Sequence, residues 1–139
     1  MTFQQVLDMV RTTAKNVNPT GTFGTGRGSD LTNLYDKPYP IIFLYDFDQL
    51  DNAESTFSNS DLIVGFYEKD DGKQDPMIHE KQTARMDDLA RSFRAKLELD
   101  YEKDFQYRGE VRRGKVGKGI FQGVIGFGLG MNITTAIEC

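Results

Sequence analysis

Five cations crowd one short stretch of this chain, Arg108, Arg112, Arg113, Lys115 and Lys118, with Glu110 the only acid among them. They lead into Gly119-Ile-Phe-Gln-Gly-Val-Ile-Gly-Phe-Gly-Leu-Gly130, an apolar run with five glycines in twelve residues. Such a cluster can hold an anion or an acidic protein surface. With Phe105, Tyr107 and Phe121 close by, it also has the mixture of bases and aromatics used by single-strand binders. The net charge of −4 and a pI near 5.0 argue against nucleic acid as the main ligand, because duplex binding rests on many cations neutralising phosphates. What remains is a cationic assembly surface.

The acids are gathered elsewhere. Between Asp46 and Asp75 there are nine, against only Lys69 and Lys73. Two solvated faces would account for this pattern. So would a head-to-tail contact in which the acidic segment of one copy meets the basic hairpin of the next, a geometry that closes into rings.

No other group competes for a chemical role. Gly24-x-Gly26-x-Gly28 has the look of a phosphate-binding loop, but those fingerprints lie between a strand and a helix, whereas this one is read as following a helix and preceding a strand. His79 is the only histidine, and a metal site needs several further ligands converging on it. Asp46/Asp48 and Asp70/Asp71 sit in connectors, where paired acids are solvated turns more often than acid–base or cation sites. No nucleophile–base pair stands out, so neither an enzyme, a cofactor nor a metal is expected. Cys139 alone excludes an intrachain disulfide and fits a reducing compartment, against which the glycosylation pattern Asn132-Ile133-Thr134 is fortuitous. No apolar run approaches the roughly 20 residues of a membrane helix, and no signal peptide is evident.

The elements that must present these residues follow from periodicity. At 139 residues, with 38% hydrophobic and 27% charged content, the chain is expected to form one globular domain spanning 1–139. Phe3, Val6, Leu7, Val10, Ala14 and Val17 share a helical face, and Thr2 with Gln5 forms a capping box; this helix ends before Asn18-Pro19. Residues 18–30 hold so many turn formers that they read as a Gly-rich loop with at most a short extended piece. Gly21, Gly24, Gly26 and Gly28 make that loop costly to order, so residues 20–30 are expected to be mobile until a neighbour fixes them through Phe23.

Strands are predicted at Pro40 to Tyr45 and Asp61 to Tyr67, the latter closing on the Asp70-Asp71-Gly72 turn signal. A long helix opens at Asp75-Pro76 and runs to about Leu99 with Ile78, Gln82, Met86, Leu89, Phe93 and Leu97 on one face. Two strands follow, Phe105 to Val111 and Ile120 to about Ile137. The order α-β-β-α-β-β predicts an α+β sandwich: an antiparallel sheet packed against two helices, with a projecting C-terminal β-hairpin whose edges invite strand addition.

The Phe23-Gly24-Thr-Gly-Arg-Gly-Ser-Asp30 loop, the Tyr39-Pro40-Ile-Ile-Phe-Leu strand start, the long second helix and the glycine-interrupted last strand ending at Cys139 resemble small tail-completion proteins of tailed phages and prophages. The element order is similar to that of tail terminator proteins, and the likeness spans most of the chain. It implies a structural, non-enzymatic virion protein of the tail or neck, made in the bacterial cytoplasm. Such a protein is a homo-oligomeric ring that caps the tail tube and meets head-connector proteins. The expected assembly surface comprises Phe23, Arg27, Arg108, Arg112, Arg113, Lys115 and Lys118, with weak, non-specific DNA contact where bases line a channel. The alternative is a small ligand-binding domain with an apolar groove between helices and sheet.

Overall fold

Thr2 starts the first helix, α1 (Phe3–Val17), through the reciprocal pair its spacing to Gln5 predicts. The Gln5 amide donates to the Thr2 hydroxyl at 3.2 Å and the Thr2 amide to Gln5 Oε1 at 2.8 Å. The computed structural model describes residues 1–51, 56–70, 76–115 and 124–136. They build an α+β fold with a mixed sheet of seven strands and three helices. After α1 come β1 (Thr22–Gly26), the short α2 (Gly28–Leu31) with a single 3-10 turn at 32–34, β2 (Ile41–Tyr45), β3 (Gln49–Asp51) and β4 (Phe57–Lys69). The long helix α3 (Pro76–Tyr101) precedes β5 (Phe105–Tyr107), β6 (Arg112–Lys115) and β7 (Val124–Ala136).

The spine of the sheet is the antiparallel ladder of β4 and β7, in register from Phe57↔Ala136 to Lys69↔Val124. Each long strand carries two short ones on its other side. β2 and β3 share β4, pairing at Val64 to Tyr67 and at Ser58 to Ser60; β6 and β5 share β7, pairing at Phe127 to Gly130 and at Ile133 to Thr135. β1 lies outside β2 and runs parallel to it.

Side chains alternate across a strand, so the spine divides into two faces. Leu62, Val64 and Phe66 of β4 and Phe127, Leu129, Met131 and Ile133 of β7 point to the inner face, where Val6 and Val10 of α1 and Met86, Ala90, Phe93 and Leu97 of α3 complete the main core. Phe93 meets Phe66 edge-on, with ring centroids 5.6 Å apart. Each such fully buried side chain contributes roughly 1.5–3 kcal/mol through removal from water. On the outer face a smaller cluster, Leu31, Ile41, Phe43 and Tyr67, sits beneath α2.

Three expectations need correction. The sheet is mixed, because the 14-residue link between Gly26 and Ile41 is long enough for a parallel crossover. The order gains β1, α2, β3 and β6, the single strand expected over Phe105 to Val111 giving way to β5 and a separate β6. The Gly-rich segment 18–30 is not loop throughout: residues 22–26 pair with β2 and Gly28–Leu31 forms α2, and Gly24 lets the Leu34 side chain lie where a Cβ would stand. Over its described residues β7 is held between β4 on one side and β5 and β6 on the other. Residues 116–123, on which the expected projecting hairpin turns, lie outside the described residues, as do Asp75 and Cys139.

Candidate assembly surface

The two outermost strands of one row, β1-β2-β4-β7-β6, are chemically unlike. β1 reads Thr-Phe-Gly-Thr-Gly and carries no charge; β6 reads Arg-Arg-Gly-Lys and all four residues are exposed. Edge strands are commonly protected by charge, and only β6 has that protection.

Backbone hydrogen bonds fix which groups each edge leaves open. The Thr22 amide donates to the Pro40 carbonyl at 3.1 Å and the Asp46 amide to the Gly26 carbonyl at 2.8 Å, so Thr22, Gly24 and Gly26 turn their backbone groups toward β2. By alternation, Phe23 and Thr25 turn theirs outward. At the other end, the Arg108 amide donates to the Asn132 carbonyl at 2.7 Å, so the even-numbered residues of β7 face the β5 and β6 side. Gly130 and Gly128 then bond Arg112 and Gly114, and the backbone groups of Arg113 and Lys115 point outward.

The side chains of the predicted surface separate along the same alternation. Arg112 stands on the outer face beside Gly130, whereas Arg113 stands on the inner face and ion-pairs with Asp87 of α3 at 2.7 Å. Lys115 is exposed on the inner face opposite Phe127, and Arg108 is exposed just after β5, ahead of Gly109, whose φ of +79° suits glycine. Phe23 faces inward against the main core, with the Arg11 guanidinium 5.8 Å from its ring centre. Arg27 is exposed 3.9 Å from Asp46. Lys118 lies outside the described residues. The acidic segment is dispersed as well: Glu68 pairs with Arg85 at 2.9 Å and Asp70 lies 3.4 Å from His79, while Asp61 is exposed on β4.

Sequence reasoning missed the outer face. Gly126, Gly128 and Gly130 fall on alternate positions of β7, and Gly24, Phe43, Gly65, Gly128 and Gly114 form one row across the five strands. A Cβ at Gly65 would run into the ring of Tyr67, whose hydroxyl hydrogen-bonds that of Tyr45. Burial, and then the bond to Tyr45, raises the Tyr67 phenol far above its usual range. Ile63, Phe57 and Leu50 are exposed on this face, and alternating small and apolar residues was the available signal.

Gly24-x-Gly26-x-Gly28 does not lie between a helix and a strand as expected. β1 leads directly into α2, so the context is strand then helix after all. Yet the Asp30 carboxylate turns back over Gly26 and accepts the Arg27 amide at 2.8 Å, where an anion would have to sit. Near the end of α1 a cavity of about 250 Å³ is lined by Ala14, Lys15, Asn18, Pro19, Gly21, Thr22 and Phe23. Among the described residues, no group of three His, Cys, Asp or Glu side chains is arranged to hold a metal ion, and no helix is long and apolar enough to cross a membrane. No family model and no curated protein matches the chain.

Proposed function

We propose that this chain is a structural, non-enzymatic protein of a phage or prophage tail, a tail-terminator-like completion protein working as a homo-oligomeric ring in the virion neck. The observation that carries the reading is the pair of unlike open edges, β1 and β6, at opposite ends of one row of strands. A surface with two different sticky ends makes heterologous contacts, and these close into a ring when the rotation per copy divides a full turn. The exposed Leu50, Phe57 and Ile63 offer apolar surface to a tail tube or head-connector protein. Arg108 and Arg112, which have no ion-pair partner among the described residues, supply weak phosphate contacts to DNA passing through the channel.

Mass in solution, by light scattering with electron microscopy of the same sample, tests the proposal. Closed rings with a central opening are expected at micromolar concentration. A chain that remains monomeric at every concentration and salt overturns it.

A further inference from the structure

We infer that successive copies join by sheet continuation, with β1 of one copy pairing antiparallel to β6 of the next. The inference deepens the ring reading and rests on it; the partner is a second copy of this chain.

Direction comes first. β1 and β2 run together, β4 runs against them, β7 against β4 and β6 against β7, so β1 and β6 are opposed. A second copy set beside the first in the same orientation therefore presents an antiparallel partner, the better-bonded arrangement.

Alternation then makes an independent demand. The outward backbone groups belong to Phe23 and Thr25 on β1 and to Arg113 and Lys115 on β6, and all four of these residues carry their side chains on the inner face. Directly paired residues share a face, so joining these edges keeps the helical layer of every copy on the same side. Had the outward residues of β6 belonged to the outer face, neighbouring copies would have been turned over relative to one another.

Register and charge agree with this arrangement. Setting Arg113 opposite Thr25 and Lys115 opposite Phe23 satisfies the outward backbone groups of all four residues. It also places Gly114 opposite Gly24, extending the glycine row from one copy into the next. Arg112 then falls opposite Gly26, on the outer face where the Asp30 carboxylate lies. Pairing β6 with itself would instead set Arg113 against Lys115, a like-charge contact. Pairing β1 with itself meets no such barrier and is the competing arrangement, a closed dimer.

Cysteine cross-linking of the full chain distinguishes these. In a Cys139→Ser background, Thr25→Cys and Arg113→Cys are introduced together. Within one copy they are four strand spacings apart, about 19 Å, far beyond the Cα range of a disulfide, so only neighbouring copies can be joined. Diamide oxidation should give a ladder of covalent multimers on a non-reducing gel, with each single-cysteine chain staying monomeric there. Covalent dimers from Thr25→Cys alone would overturn the pairing in favour of β1 with itself. Rings seen by mass without a ladder would overturn the pairing and leave the ring reading standing, whereas monomers by mass would remove both.

Because Arg113→Cys also removes the Asp87 ion pair, a second comparison leaves β6 untouched. Thr25→Lys should weaken association and Thr25→Glu strengthen it, by on the order of fivefold between the two, as expected for like and opposite charges across a strand pair. Equal association of both variants would overturn the proposal.

Discussion

The two faces of β7 differ in what they ask of the sequence. Its odd-numbered residues from Phe127 to Thr135 are buried against helices, while Gly126, Gly128, Gly130, Asn132 and Thr134 on the even side are only partly covered. One strand therefore serves stability on one side and leaves backbone within reach on the other. The lesson is that glycine here marks a face rather than a bend: three glycines at a spacing of two thin one surface of a strand that stays paired over its whole length. Strand-interior glycine commonly signals such close approach.

The sharpest way to break this contrast is to truncate one residue on each face. Phe93→Ala, which empties a fully buried site against Phe66, should cost about 3–5 kcal/mol. Ile63→Ala on the outer face should cost well under 1 kcal/mol, since Ile63 is 52% exposed and faces Gly130. Urea denaturation of both variants checks this; similar midpoints would mean that the outer face is as tightly packed as the inner one.

Gly65→Val probes a crowded place on the outer face. The added side chain must displace the Tyr67 ring and strain its bond to Tyr45, a loss of about 1–3 kcal/mol. Near-ultraviolet circular dichroism should change with it. An unchanged tyrosine signal and midpoint would show that the ring does not cover Gly65.

The smallest effect lies on the inner side, where Tyr107 donates to Glu98 at 2.8 Å and the Arg94 guanidinium lies 5.2 Å from its ring centre. Burial first, and the Glu98 bond second, push the Tyr107 phenol up to about 12. An unfolded tyrosine titrates near 10, so the folded state holds this proton more tightly. The resulting stability is fully present below pH 10 and is lost as pH rises through about 12. Tyr107→Phe should lose less stability than wild type over that window, as measured by denaturant midpoints at successive pH values. Parallel curves would remove the assignment.

Much of this architecture is legible in the residues, for reasons that also explain the gaps. The capping box at Thr2 and the apolar stripe from Gln82 to Leu97 are local signals, and α1 and α3 form where those signals lie. The doubly apolar Ile41 to Leu44 run is buried on both faces, as its composition implies. β1 stays hidden because its glycines imitate a turn; only the Leu34 side chain lying over Gly24 reveals why they belong in a strand. β6 is hidden because an exposed edge of Arg and Lys has no apolar alternation to read. The basic cluster is legible as charge, but its division is not. Neighbouring Arg112 and Arg113 part to opposite faces once they lie in a strand, and Asp87, distant in sequence, claims Arg113.

The spine ladder has a consequence for the order in which the chain folds. Its pairs join residues 55 to 79 positions apart, from Lys69↔Val124 to Phe57↔Ala136. Contacts of such long sequence separation carry a large closure entropy and slow folding. β1, β2 and β4 can assemble on the ribosome while α3 is still being made, yet one side of β4 must then wait, apolar and unpaired, for β7 to emerge. Segments waiting in this way are prone to aggregation, so the yield of folded chain depends on how quickly residues 124–136 reach β4.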